Sequence, residues 1–172
     1  MKRDFITSIL NPKNKVDSGN MLDLVYQKKF KVDASAGKVM ASVFWDSQGV
    51  LMIDYLQRGS TITGAYYAHL LRRLKEQIKL QRRGKLRKGV LLLQDNAPAH
   101  RSQVAVAAAT DCGFEILPHP AYSPDLAQSD FYLFPKLKSA IRGKQFDSDD
   151  AVIDHVKALL KGLSPQFYHN GI

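Results

Sequence analysis

Two aspartates in this sequence sit where acidic side chains can do phosphoryl chemistry. The first is Asp95, in the run Leu91-Leu92-Leu93-Gln94-Asp95-Asn96-Ala97-Pro98-Ala99-His100. A compact apolar stretch ends there and a carboxylate appears at its carboxyl edge, where ligands gather in open α/β sheets. The second is Asp130, in Tyr122-Ser123-Pro124-Asp125-Leu126-Ala127-Gln128-Ser129-Asp130-Phe131. Each has an ordinary alternative. Asp95-Asn96 can simply form a turn, because both side chains bond well to local backbone. Asp130 can simply balance the dipole of a helix start. Taken together, two carboxylates on separate elements can converge on Mg²⁺ or Mn²⁺, hard ions that prefer oxygen ligands. Two such ions, roughly 3.5–4 Å apart, activate an attacking water or hydroxyl and stabilise the leaving oxygen of a phosphodiester.

The elements that must position these residues are readable from patterning. Val39 to Trp45 and Val50 to Leu56 are β-rich runs around Asp46-Ser47-Gln48-Gly49, a hairpin signature. Phe44 and Trp45 read as sheet core. Thr63 is placed to cap a helix on which Tyr67, Leu71, Leu74 and Ile78 recur at helical spacing. Val90 to Leu93, apolar on both faces, reads as a covered central strand. An alanine-rich helix is expected over about Ser102 to Thr110, stopped near Gly113. Phe114 to Leu117 reads as a strand, followed by a proline-broken loop from Pro118 to Gln128. Helices are expected from Ser129 to Ile141, with Pro135 in the first turns, and from Asp149 to Leu160 behind a Ser148 cap. Ser164-Pro165 starts a last turn. Residues 1–36 are the least regular part, with one short strand over Phe5, Ile6, Ile9 and Leu10. Strands come early and mix with helices later, so the class is α/β with a mixed sheet.

The 172 residues and 45% hydrophobic content suit one globular domain, and 24% charged residues exclude wholesale disorder. The net charge of +9 and a pI near 9.7 suit a polyanionic partner. Nine basic residues fall within one short stretch: Arg72, Arg73, Lys75, Lys79, Arg82, Arg83, Lys85, Arg87 and Lys88. They could bind DNA phosphates without reading bases, or simply solvate a helix face. Cys112 is the single cysteine, which excludes an internal disulfide and a cysteine-based zinc site. No apolar run reaches the ~18–20 residues of a membrane span. The start has no long apolar stretch, so no secretory signal is expected, and the protein reads as intracellular. No nucleophile-elbow pattern appears, which speaks against a serine hydrolase.

Two blocks resemble the signature blocks of mariner-type transposases. In that family the first reads HDNAPAH or HDNARPH, matched here by Gln94 to His100. The second reads LPHPPYSPDLAPSDF, matched here from Leu117 to Phe131. The resemblance implies an RNase H-like catalytic domain of the integrase and transposase type, a mixed sheet flanked by helices. It implies that the second and third metal-binding aspartates are Asp95 and Asp130, with the family's spacing of 34 intervening residues. Val39 to Leu56 resembles the family's Trp-containing hairpin, and Lys144 to Phe146 and Phe167 to Ile172 fit as well. The similarity runs over 28–172, with 1–27 as a divergent segment of the same single domain. The departures are specific. Gln94 stands where the family has histidine. The family's first aspartate lies in an Asp-Glu-Thr/Ser-Trp motif that is missing; Asp4 in Asp4-Phe5-Ile6-Thr7 is the nearest candidate, with Asp17 and Asp23 weaker ones. No paired helix-turn-helix modules are present, so sequence-specific transposition by this chain alone is not expected.

These implications define the expected function: Mg²⁺- or Mn²⁺-dependent DNA strand cleavage and transfer, impaired, in the nucleus. Asp95, Asp130 and Asp4 would be the catalytic metal ligands. Asn96 is expected to orient Asp95. His100 and His119 flank the acidic blocks and could contact substrate or merely satisfy backbone, while Asp125 reads as a turn residue. Arg72, Arg73, Lys79, Arg82, Arg83, Lys85, Arg87 and Lys88 would contact DNA. A homodimer is left open. The alternatives are a catalytically inactive nucleic-acid-binding module and a relic of a transposable element.

Overall fold

The computed structural model describes residues 5–7, 39–120 and 126–172. Strand β1 (Phe5–Thr7) is followed by the β2 (Met40–Asp46) and β3 (Gly49–Leu56) hairpin, which turns at Ser47-Gln48. Next come α1 (Gly64–Gln81), a 3₁₀ turn (Leu86–Lys88), β4 (Val90–Leu93), α2 (Pro98–Arg101), α3 (Gln103–Cys112) and β5 (Phe114–Leu117). A π-turn (Ser129–Leu133) leads into α4 (Phe134–Ile141), then α5 (Asp149–Gly162) and α6 (Pro165–Asn170).

The five strands are ordered β3-β2-β1-β4-β5. β1 pairs antiparallel with β2 and parallel with β4, and β4 pairs parallel with β5. This is the mixed sheet expected from the sequence. All four residues of β4 are buried, as a strand flanked on both sides and covered on both faces must be.

Alternation along β2 divides the core in two, since successive side chains leave opposite faces of a strand. Phe44 points into a cluster with Tyr67, Leu70, Leu71, Leu74 and Ile78 of α1 and the small residues of α3. Val43 and Trp45 point the other way, against Leu133, Phe134, Leu137, Val156, Leu160 and Tyr168. Fully burying a side chain of this size stabilises the fold by roughly 1.5–3 kcal/mol.

Local signals explain where the helices start. Thr63, Ser102, Ser148 and Ser164 each accept a backbone N–H with the side chain at an N-cap, the satisfaction that these short polar residues offer best. Gly113 ends α3 in the left-handed region at φ 80°, where a side chain would be strained. One element differs from expectation. The helix foreseen from Ser129 opens as a π-turn before becoming α-helical at Phe134. Pro135 has no N–H to give to a regular ladder, so it sits in the first turn of α4. The final turn at Ser164-Pro165 is a short helix.

Candidate active site

Asp95 leaves the carboxyl end of β4 just before α2. Its Oδ1 accepts the backbone N–H of Ala97 at 3.0 Å and lies 2.5 Å from Nδ1 of His100. The turn role expected of Asp95 is thus present, and both contacts use Oδ1, so neither engages the second carboxylate oxygen. His100 is completely buried and stacks on Tyr67 with ring centroids 4.1 Å apart. Because an ionised carboxylate only accepts, Nδ1 is the donor in this pair. Nε2 is buried and has no hydrogen-bond partner among the described residues.

Gln94 stands beside them, also buried. Its Oε1 accepts from the Tyr67 hydroxyl at 2.9 Å and its amide reaches the His100 carbonyl at 3.4 Å. Tyr67 comes from the first turn of α1, so this helix clamps the strand end that presents Asp95. Its place on an apolar helical stripe signals a core residue; only the position of Gln94 reveals that its hydroxyl has a second task.

Asn96 does not bond the Asp95 carboxylate. It donates to the His119 carbonyl at 2.6 Å, tying the loop after β5 to the loop after β4. His119, Pro118, Leu117, Ile116, Val106 and Arg101 line a cavity of about 140 Å³ together with Asp95.

Asp130 is carried by the π-turn, its N–H donating to the Ala127 carbonyl at 2.8 Å. The neighbouring Ser129 hydroxyl accepts a buried 3.0 Å bond from Trp45 Nε1, which pins the turn to β2. Trp45 is thus sheet core, as expected, and also an anchor for the Asp130 segment.

Electrostatics link the two carboxylates. Burial pushes the Asp95 carboxyl up, but the hydrogen bond and charge of His100, the Ala97 N–H and the charge of His119 together hold it below the ordinary aspartate range. Asp130 moves the other way. Burial raises it first and the negative charge of Asp95 raises it further, while Lys138 and His119 offset this only in part. One carboxyl is shifted down and the other up, with the charge of the first among the causes for the second, a pattern known for carboxylates that share a site. The donor set is oxygen-rich and mutually repelling, which suits a hard divalent cation. Among the described residues no group of three or more His, Cys, Asp or Glu side chains is arranged to hold a metal ion.

Asp4, Asp17, Asp23 and Asp125 lie outside the described residues. The register of β1 is described: Phe5 stands opposite Leu91 and Thr7 opposite Leu93. Phe5 is therefore four positions short of the level of Asp95, about 13 Å along a parallel strand.

The basic stretch divides. Arg72, Arg73, Lys79, Arg83, Arg87 and Lys88 are exposed, and Arg73 pairs with Asp54. Lys85 is buried, and it and Arg82 turn inward to Asp46, at 2.7 and 2.9 Å. Asp46 has no exposed surface, and a charge so buried requires partners. Those two cations are committed to the fold, contrary to the expectation that they face DNA. Sequence gave no hint of this, since Asp46 is 36 and 39 residues away from them.

Comparison with known proteins agrees with this geometry. The family described as "Transposase (partial DDE domain)" matches residues 12–88. The mariner Mos1 transposase of Drosophila mauritiana is 35% identical over 137 residues, which is 78% of this chain and 40% of that protein. The histone-lysine N-methyltransferase SETMAR of Homo sapiens is 33% identical over 136 residues, 78% of this chain and 20% of that protein. The chain thus spans less than half the length of either curated relative. The crystal structure of the catalytic domain of Mos1 mariner transposase superposes with a TM-score of 0.79 at 28% identity, covering 97% of this chain and 74% of that one. The chain belongs to the mariner-type transposases and has the RNase H-like DDE fold of their catalytic domain.

Proposed function

We propose that this chain is a transposase-derived domain for divalent-metal-dependent DNA strand cleavage and transfer, with impaired activity. The observation that carries the reading is the coupling of Asp95 and Asp130, in which the charge of one raises the pKa of the other across 34 intervening residues. Mos1 catalytic-domain structures have been solved with Mn and with Mg, and Mos1 has been solved as a paired-end complex with a transposon end. DNA as substrate and Mg²⁺ or Mn²⁺ as cofactor follow for this chain by that likeness.

Asp95 and Asp130 would hold the cations; Asp4, the third carboxylate expected from the sequence, lies outside the described residues. Bound there, two cations supply an activated water or hydroxyl and stabilise the leaving oxygen. The chain's own groups do the positioning. His100 fixes Oδ1 of Asp95, Tyr67 and Gln94 fix the strand end, and Trp45 with Ser129 fixes the turn of Asp130. Asn96 holds His119 beside both acids. The exposed cations Arg72, Arg83, Arg87 and Lys88 would meet phosphates without reading bases. DNA as substrate places the work in the nucleus. Among the described residues no helix is long and apolar enough to cross a membrane.

Impairment is favoured by the β1 register. Phe5 lies about 13 Å short of the level of Asp95 when paired with Leu91, and the described strand, Phe5 to Thr7, carries no carboxylate of its own. The same observation favours the second reading, a DNA-binding module without catalysis. Metal-dependent nicking of a supercoiled plasmid separates the two. Slow nicking that vanishes in Asp95→Ala supports the first, and no nicking at any metal concentration supports the second.

A further inference from the structure

We propose that the turn between α1 and β4 forms a phosphate-binding site for duplex DNA, separate from the acidic site, which holds a segment of the duplex other than the one cleaved. The proposal rests on the reading that DNA is the substrate.

Lys79, Arg82, Arg83, Gly84, Leu86 and Arg87 surround a cavity of about 400 Å³. Among the described residues no acidic side chain lines it. Two of its cations are already engaged, Lys79 with Glu76 and Arg82 with Asp46. Arg83 and Arg87 are exposed and have no ion-pair partner among the described residues. Elsewhere on α1, Arg73 has an acidic partner in Asp54. Gly84, at φ 81°, makes the tight reversal that sets Arg83 and Arg87 on one concavity.

The dipole of α1 does not account for these charges. It is effective within the last helical turn, which Lys79 already occupies, and Arg87 lies six residues past Gln81. Two guanidinium groups lining one concavity, with no acid beside them among the described residues, instead match the oxygens of phosphodiesters, which arginine meets bidentately.

Position separates this site from the acidic one. Tyr67, in the first turns of α1, bonds Gln94 next to Asp95, whereas the cavity lies past Gln81 at the other end of the helix. Those two helix positions are about 21 Å apart at 1.5 Å per residue. A duplex strand advances about 3.4 Å per nucleotide, so that length of helix corresponds to roughly six base pairs of duplex.

The test is fluorescence anisotropy of the 172-residue chain with a labelled duplex several times that length, across salt concentrations and without divalent metal. Wild type, Arg83→Ala/Arg87→Ala, Arg83→Lys/Arg87→Lys and Asp95→Ala are compared, with thermal melts to verify folding. Each lost phosphate contact lowers the slope of log affinity against log salt by about 0.9. The double alanine variant is therefore expected to lose about 2 from that slope, with the double lysine variant keeping most of it. Inorganic phosphate should compete no better than chloride at equal ionic strength. An unchanged slope in the folded double alanine variant overturns the proposal, as does displacement of the duplex by inorganic phosphate well beyond the chloride effect. Plasmid nicking by the same proteins tests the DNA-cleavage reading separately. Nicking that survives Asp95→Ala would defeat that reading while leaving the slope result to decide this one.

Discussion

Nδ1 of His100 lies 2.5 Å from Oδ1 of Asp95, with the imidazole wholly buried between the carboxylate and the ring of Tyr67. A partner that fixes a ligand's orientation typically changes metal affinity or activity by about 10–100-fold when removed. His100→Ala is expected to raise the Mn²⁺ concentration needed for half-maximal nicking by about 10-fold or more. A metal titration of nicking checks this. A variant that loses thermal stability yet keeps the wild-type metal requirement would reduce His100 to a core residue.

Asp46 gives a stability prediction. Its carboxyl is pushed up by burial but held below the ordinary range by the hydrogen bonds of Arg82 and Lys85, the charge of Lys85 and the Gln48 N–H. Removing one member of a buried pair leaves charge uncompensated, so Asp46→Ala should cost about 3–5 kcal/mol in chemical denaturation. The pH dependence has a definite sign. With the folded pKa depressed, the stabilisation is complete above the ordinary aspartate value and is lost as pH falls through the folded value. Wild type should therefore lose stability in acid more steeply than Asp46→Asn. Arg82→Ala should likewise lower stability, far more than it changes DNA affinity.

Asp130 carries the opposite shift, raised by burial and by Asp95. Its contribution is present at low pH and is lost as pH rises through the raised folded pKa. At neutral pH the metal-free site is therefore held under repulsion. Asp130→Asn should melt higher than wild type in chelator. A cation that binds only the folded state raises its stability, so Mg²⁺ or Mn²⁺ should raise the melting temperature of wild type and not of Asp130→Asn. Equal metal-induced shifts in both proteins would remove Asp130 from the cation site.

What the sequence made legible, and what it did not, follows from range. The hairpin, β4, the Thr63 and Ser148 caps and the Gly113 stop are local features, each encoded within a few residues, and all were readable. The Asp95 and Asp130 segments were readable because two long blocks carry the family resemblance. The π-turn at Ser129–Leu133 was not, since an extra residue in a helical turn has no compositional mark. The inward commitment of Arg82 and Lys85 was not, because the demand comes from Asp46 on a distant strand. Asn96 was expected at Asp95 but is drawn to the His119 carbonyl, a contact that exists only once β4 and β5 pair.

The central claim is that Asp95 and Asp130 hold divalent cations for phosphodiester cleavage. Nicking of supercoiled plasmid, measured with Mg²⁺ and with Mn²⁺ for wild type, Asp95→Ala, Asp130→Ala and Asp4→Ala, tests it most directly. The expected result is slow, metal-dependent nicking by wild type, none by Asp95→Ala or Asp130→Ala, and a rate for Asp4→Ala that reports how far Asp4 contributes. Robust cleavage that persists in Asp95→Ala would contradict the account.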